Sequence, residues 1–224
     1  MDEPARRRLH RLRHPAFFGT LRRTTPLSDR WGWERGTPID RYYIERFLAQ
    51  HADRIRGRVL EVADRRYTEQ FGRDVESSDV LDMQKDNPLA TVVADLSRHE
   101  QLPEERFDAF VLTQTLQYIF DVRAAVGGIH RLLRPGGTAL VTVPAVSRVA
   151  HSAGVEGDLW RFTYGSCMQL FDEHFADVRV ETYGNVLTCS AFLYGIAREE
   201  LTRRELETRD EAFPLVVAVR ATRG

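Results

Sequence analysis

Short apolar runs alternate with helix-patterned stretches along most of this chain, and that alternation restricts its fold more than any other feature. Runs at 58–62, 75–80, 90–94, 107–113, 138–143, 178–183 and 215–221 read as strands. Helices are expected from Thr37-Pro38-Ile39-Asp40 onward, with Thr37 as N-cap and Pro38 in the first turn, over 122–133, stopped by Pro135-Gly136-Gly137, and over 166–174. Near-continuous apolar strands such as Phe107, Phe110, Val111 and Leu112 are buried on both faces, and with helices between them they form a parallel sheet covered on both sides. The expectation is an α/β fold: a doubly wound, mostly parallel seven-stranded sheet with helices on both faces. Ligands of such sheets bind beyond the carboxyl ends of the strands, where strand order reverses, so the loops after the first four strands are where chemistry is sought.

No repeat or low-complexity linker divides the chain, so it reads as an N-terminal lead-in, 1–36, followed by one domain, 37–224. Five arginines in the first 14 residues, beside Asp2 and Glu3, read most simply as a solvated leader; contact with an anionic membrane is the sharper alternative. Pro15, Gly19, Pro26, Gly32 and Gly36 among aromatics suit an irregular approach to the domain. A net charge of -1 and a pI near 6.7 give a nucleic-acid partner no support. Lys85 is the only lysine, and the abundance of arginine is explained as well by a GC-rich genome as by phosphate binding. Cys167 and Cys189 lack metal-type spacing and are expected as reduced thiols. No His, Asp and Glu set is clustered as metal ligands would be, no apolar run is long enough to span a membrane, and no signal-peptide core opens the chain. A cytoplasmic location follows as the expectation; oligomeric state is left open.

Several motifs occur in a telling order: Val59-Leu60-Glu61-Val62-Ala63-Asp64-Arg65-Arg66-Tyr67, then Asp79, Asp95-Leu96, Thr113-Gln114-Thr115-Leu116-Gln117-Tyr118 and Arg134-Pro135-Gly136-Gly137. They are preceded by the stretch from Arg35 to Tyr43 and followed by Asp158-Leu159-Trp160-Arg161-Phe162. This order resembles the class I S-adenosylmethionine-dependent methyltransferases, type 11-like, of the kind associated with glycan or natural-product biosynthesis. The resemblance implies a Rossmann-like fold, S-adenosyl-L-methionine as cofactor, and a transferase activity.

It also implies roles. Glu61 matches the family's acidic position, and the loop containing Ala63 and Asp64 would approach the cofactor. Ala63, Arg65 and Tyr67 stand where glycines are expected, which is the largest departure. Glycine serves there because backbone approaches the ligand and can need φ > 0; alanine adds one methyl, whereas arginine and tyrosine fit only if they turn away. Asp79, 18 residues after Glu61, would accept from the ribose hydroxyls, with Asp82 as its rival; either could instead cap the next segment. Asp95 and Leu96 would meet the adenine, unless Asp95 caps the turn at Ser97. Thr113 or Gln114 would bond the amino-acid end, with Leu116 and Tyr118 as packing residues. Arg41 and Tyr42 would close over the cofactor, or be a surface arginine and a packed tyrosine.

Methyl transfer is chiefly alignment, and a hydroxyl nucleophile gains from a base. His151 and Asp158 are the candidate catalytic bases, although His151 also suits an ordinary loop and Asp158 can simply pair with Arg161. Trp160 and Arg161 are candidates for binding the acceptor, Trp160 through a flat apolar face suited to a sugar or aromatic ring. The expected reaction is O-methylation of a sugar, glycan or natural-product hydroxyl. The alternative is a degenerate relative that serves as a partner or holds another ligand in its pocket. A phosphate-binding role for Arg65 and Arg66 lacks the lysine-bearing phosphate loop it would need.

Overall fold

In a computed structural model of the chain, residues 5, 12, 19–150 and 153–224 are described. The strands are β1 (Gly57–Val62), β2 (Val75–Asp82), β3 (Val92–Val93), β4 (Phe107–Thr113), β5 (Leu133–Pro144), β6 (Asp177–Tyr183) and β7 (Val216–Thr222). The helices are α1 (Ile39–Gln50), α2 (Arg66–Phe71), α3 (Val122–Leu132), α4 (Gly154–Gly157), α5 (Tyr164–Asp172), α6 (Val186–Leu193) and α7 (Arg203–Glu207). The strands form one sheet in the order β3-β2-β1-β4-β5-β7-β6. β1 to β5 pair in parallel, and β7 is inserted antiparallel between β5 and β6. This is the doubly wound, seven-stranded arrangement the sequence implies. The chain winds outward from β1 to β3, then crosses back to β4 on β1's other side, so the switch point lies between β1 and β4.

Side chains alternate across the strands and feed two cores. Leu60, Phe110 and Leu112 face α3 and α5, where they meet Val126, Ile129, Cys167 and Phe171. Val59, Ala109 and Val111 face the other way, toward Tyr43, Ile44 and Phe47 of α1 and Phe192 of α6. Phe110 is fully buried, and truncating such a ring to alanine costs about 3–5 kcal/mol.

Local chemistry shifts several expected boundaries. Thr37 does not cap α1: its N–H and hydroxyl donate to Glu199 at 2.8 and 2.7 Å, and Pro38 takes the cap position while bridging to Ala197. β2 runs to Asp82, while β3 is reduced to two residues that pair with Leu81 and Asp82. α3 ends at Leu132, and Arg134-Pro135-Gly136-Gly137 opens β5 rather than ending the helix. Gly136 there has φ +78°, and Arg223 clamps the segment through bonds of 2.9 Å to Gly136 and Gly137. Part of the lead-in packs against the domain: the Leu27 N–H donates to Tyr194 at 2.8 Å, Ser28 is buried, and Arg35 pairs with Glu200.

Candidate functional site

A cleft of about 240 Å³ opens at the carboxyl ends of β1, β2 and β4. Val62, Ala63, Leu81, Leu96 and Ile119 supply apolar walls, with Asp82 and Tyr118 at its polar edges. A more polar hollow of about 420 Å³ lies at the opposite end of the sheet, beside Arg56, Asp108 and Arg134. That end receives the amino termini of the parallel strands, where such sheets do not bind their ligands, and Arg134 and Asp108 already form an ion pair at 3.2 Å.

The glycine-poor loop keeps the backbone that glycine would have allowed. Ala63 sits at φ +68°, in the left-handed region. Its N–H donates to Leu81 at 3.0 Å and its carbonyl accepts from Asn87 at 2.9 Å, so the end of β2 and the loop that follows it hold the turn. Tyr67 turns away from the cleft and is buried against Phe71 and the core under α1. Arg65 is half-buried, with an Nε that finds no partner among the described residues. Glu61 does not reach the cleft. It is buried beneath α2, accepting from the Tyr67 and Thr68 N–H groups at 3.0 and 2.8 Å and from the Thr68 hydroxyl at 2.8 Å. Burial pushes its carboxyl up despite those three donors, so Glu61 is a helix anchor that shapes the loop. Asp64 is likewise local, accepting from the Arg66 N–H at 3.0 Å.

The acid at the end of the second strand is Asp82, not Asp79. The two extra residues of β2 leave Asp79 inside the strand, paired across to Leu60, with its carboxylate accepting from the Thr91 hydroxyl at 2.7 Å. Asp82 lines the cleft, fixed by Gln84 N–H at 2.9 Å and the Asn87 amide at 2.7 Å. Of the pair Asp95 and Leu96, only Leu96 walls the cleft. Asp95 bends back to cap Ser97, accepting from its N–H and hydroxyl at 2.8 and 2.7 Å. Sequence reasoning missed Met83, Gln84 and Ile119, which also line the cleft, and treated Tyr118 as packing. No residue-type signal marks such walls; only the strand end places them.

After β4 the chain turns sharply at Gln114, φ +48°, whose N–H bonds Thr142 at 2.8 Å. Its side-chain Nε2 is buried with no partner among the described residues, and Gln114 is not one of the residues lining the cleft. Thr113 does not line the cleft, and its carbonyl accepts from Thr115 at 3.0 Å. Arg41 reaches from α1 to the Tyr67 hydroxyl, joining α1 to the first turn of α2 just after the first loop. Tyr42 packs edge-on against Tyr43, at 5.4 Å, beneath the Arg198 guanidinium, and is a packed tyrosine rather than a cover for the cleft.

Asp158 is not placed as a base. Arg161 grips both its oxygens at 2.6 and 2.9 Å, and the Ala150 N–H donates at 2.9 Å. Burial alone would push this carboxyl up, but these donors together hold it below the usual carboxylate range, where it is a poor proton acceptor. Arg161 is correspondingly committed, donating also to the carbonyl of Arg148 at 2.9 Å. His151 lies outside the described residues. Trp160 is 39% exposed, and its indole N–H donates to the Ile119 carbonyl at 3.0 Å. With Phe120, whose ring centre is 6.2 Å away, it lines a separate groove of about 500 Å³.

Among the described residues no helix is long and apolar enough to cross a membrane, and no group of three or more His, Cys, Asp or Glu could hold a metal. Residues 56–141, which span β1 to β5 and the whole cleft, match the methyltransferase domain family. No curated protein matches in sequence. Among solved structures, the N-methyltransferase NodS from Bradyrhizobium japonicum WM9, in complex with S-adenosyl-L-homocysteine, is similar with a TM-score of 0.55 and 13% identity, covering 92% of this chain and 97% of its own. A SAM-dependent methyltransferase from Archaeoglobus fulgidus is similar at TM-score 0.53 and 13% identity, over 82% of this chain and 94% of its own. The [4+2]-cyclase SpnF gives a TM-score of 0.53 at 14% identity, over 84% of each chain. The fold is that of these solved structures, and the match to the methyltransferase domain family covers the part of the chain that forms the cleft.

Proposed function

We propose that this chain is a methyltransferase acting in the cytoplasm on a hydroxyl of a sugar, glycan or other small natural product. One observation carries the acceptor part: the Trp160–Phe120 groove adjoins the cofactor cleft, the two separated by the turn whose Tyr118 and Ile119 wall one and whose Phe120 walls the other. The anchored indole offers a fixed flat face, and Arg123, Gln169 and Ser166 give the groove a polar edge, a combination suited to a ring bearing hydroxyls.

The residues present fit the cofactor. At about 240 Å³ the cleft is smaller than a whole ligand site, which commonly runs from about 300 Å³ upward, and its apolar walls suit the adenosine half. Leu96 and Ile119 would sandwich the adenine, Asp82 would accept from the ribose, and the free Gln114 amide would meet the amino-acid end. When bound, the cofactor supplies an electrophilic methyl group on a sulfonium. The chain's own part is to align an acceptor oxygen with that methyl and exclude water. His151, the residue after Ala150, is the proposed base.

The test is incubation with methyl-labelled S-adenosylmethionine and a panel of glycosides, free sugars and phenols. The expected product is a labelled methyl ether. Label appearing on nitrogen, or on no acceptor while the cofactor binds, would contradict the O-directed reading. The latter result would favour a second reading, a pocket that holds ligand without methylating. Its motivation is the set of Ala63, Arg65 and Tyr67 in place of glycines, together with the similarity to a fold relative named as a cyclase.

A further inference from the structure

Helix α6 turns outward an apolar face that has no role in the reading above. Its inner side, Thr188, Cys189, Ala191 and Phe192, is buried. The outer side recurs at helical spacing, with Val186 55% exposed, Leu187 42% and Leu193 44%. A surface helix ordinarily carries polar groups there. Ser190, the one polar residue between them, turns its hydroxyl back to the Val186 carbonyl at 2.8 Å, so it offers no donor outward. Phe213, 47% exposed, extends the face onto the loop before β7; its carbonyl accepts from the Cys189 thiol at 3.4 Å. The lead-in meets the domain at the end of the same helix. The Tyr194 hydroxyl donates to the Arg23 carbonyl at 3.1 Å, and the Leu27 N–H to the Tyr194 carbonyl at 2.8 Å. Between Pro4 and Ser28 the sequence carries seven arginines, Leu9, Leu12, Phe17 and Phe18, and no acid, in a chain of net charge -1. Residues 4, 6–11 and 13–18 of that stretch lie outside the described residues; Leu12 is 70% exposed, and Arg22 and Arg23 are exposed.

We propose that the outer face of α6 docks on an anionic lipid bilayer, its apolar side chains entering the interface while the arginines of the adjoining segment lie among the headgroups. Binding of this kind scales with the apolar area buried plus the attraction of basic residues to acidic lipid, and neither part alone holds a protein firmly. Asp210 and Glu211 stand close to Phe213 in sequence, so the attraction belongs to the arginines and the insertion to α6. Charge argues against the other occupants. A second copy seated on α6 about a two-fold axis would bring two arginine-rich segments together, and they would repel. Nucleic acid would engage the arginines but gain nothing from Val186, Leu187 and Leu193. The segment itself does not cover the face with Leu12, which remains exposed. The surface lies on the α1 side of the sheet, apart from the cleft, and does not depend on which acceptor is methylated.

The experiment is flotation of the full chain with vesicles of phosphatidylcholine, alone or with about one third phosphatidylglycerol. Partitioning onto the anionic vesicles should exceed that onto the neutral ones at least roughly tenfold at low salt, and should fall as salt is added. Changing Arg6, Arg7, Arg8, Arg11 and Arg13 together to glutamine should abolish that preference. Leu187→Gln combined with Leu193→Gln should lower partitioning onto anionic vesicles roughly tenfold. Should the helix not tolerate that pair, Phe213→Gln is an independent variant of the same face and should weaken binding in the same direction. No binding by the wild type would overturn the proposal. Arginine-dependent binding that ignores both face variants would place the contact in the segment alone, and would equally overturn it. So would a dimer in light scattering that the leucine variant dissociates, which gives the face to a second copy. Capture of duplex DNA in place of vesicles would give the arginines to nucleic acid, with the same consequence.

Discussion

Ala63 holds an L-residue at φ +68°, where the left-handed region costs alanine roughly 1–2 kcal/mol. Glycine would remove that cost while adding about 0.4–1 kcal/mol of unfolded-chain entropy. Ala63→Gly should therefore raise stability by about 1 kcal/mol in urea unfolding; a loss of stability would show that the methyl group packs usefully. The strand-end acid gives a second prediction. Asp82→Ala should weaken S-adenosylmethionine and S-adenosylhomocysteine alike by about 10- to 100-fold, the worth of a charge-assisted hydrogen bond. Asp79→Ala should leave both affinities within about threefold, because its carboxylate is engaged by Thr91 inside the strand. Sequence spacing brought both acids into view but favoured Asp79, since a two-residue difference in strand length is invisible to apolar patterning. Glu61 and Asp158 show the same limit: a carboxylate near a loop reads as functional until its donors are known, and here the donors are α2 and Arg161.

Among the elements, the apolar runs of β1, β4 and β7 were legible because burial on both faces makes most of their positions apolar. β3 was harder: two paired residues at the sheet edge carry little pattern of their own. α3 shows how an element remote from the ligand sets the cleft. A Cβ on Gly128 would lie 2.1 Å from the Leu96 carbonyl oxygen, so the helix rests directly on the backbone that presents Leu96 to the cleft. A Cβ on Gly127 would meet mainly the His99 ring, at 2.9 Å, which can move. Gly128→Ala should cost about 1–3 kcal/mol and also weaken cofactor binding, while Gly127→Ala should cost less and leave binding unchanged. Thermal unfolding and titration of the two variants, compared side by side, check both halves; equal effects would show that the contact with Leu96 is not what fixes the helix.

For the molecule as a whole, the sheet order places every proposed contact with the cofactor at one end, and stability at the other end follows separate chemistry. His130, in the last turn of α3, has its imidazole pushed below the ordinary histidine range by burial first, then by the Arg223 and His174 charges. The folded chain therefore keeps this ring neutral where the unfolded chain would protonate it. Its contribution to stability is complete above about pH 6.5 and is lost as pH falls below that. The urea midpoint should drop between about pH 7 and about pH 5.5 in the wild type, and less steeply in His130→Gln; parallel curves would assign the acid sensitivity elsewhere. The central claim concerns the opposite end, that a first loop without its glycines still forms a cofactor site. Calorimetric titration of ligand-stripped protein with S-adenosylmethionine and S-adenosylhomocysteine tests it most directly. Micromolar binding of both, about 8 kcal/mol, is the predicted result, and absence of binding to either would contradict it.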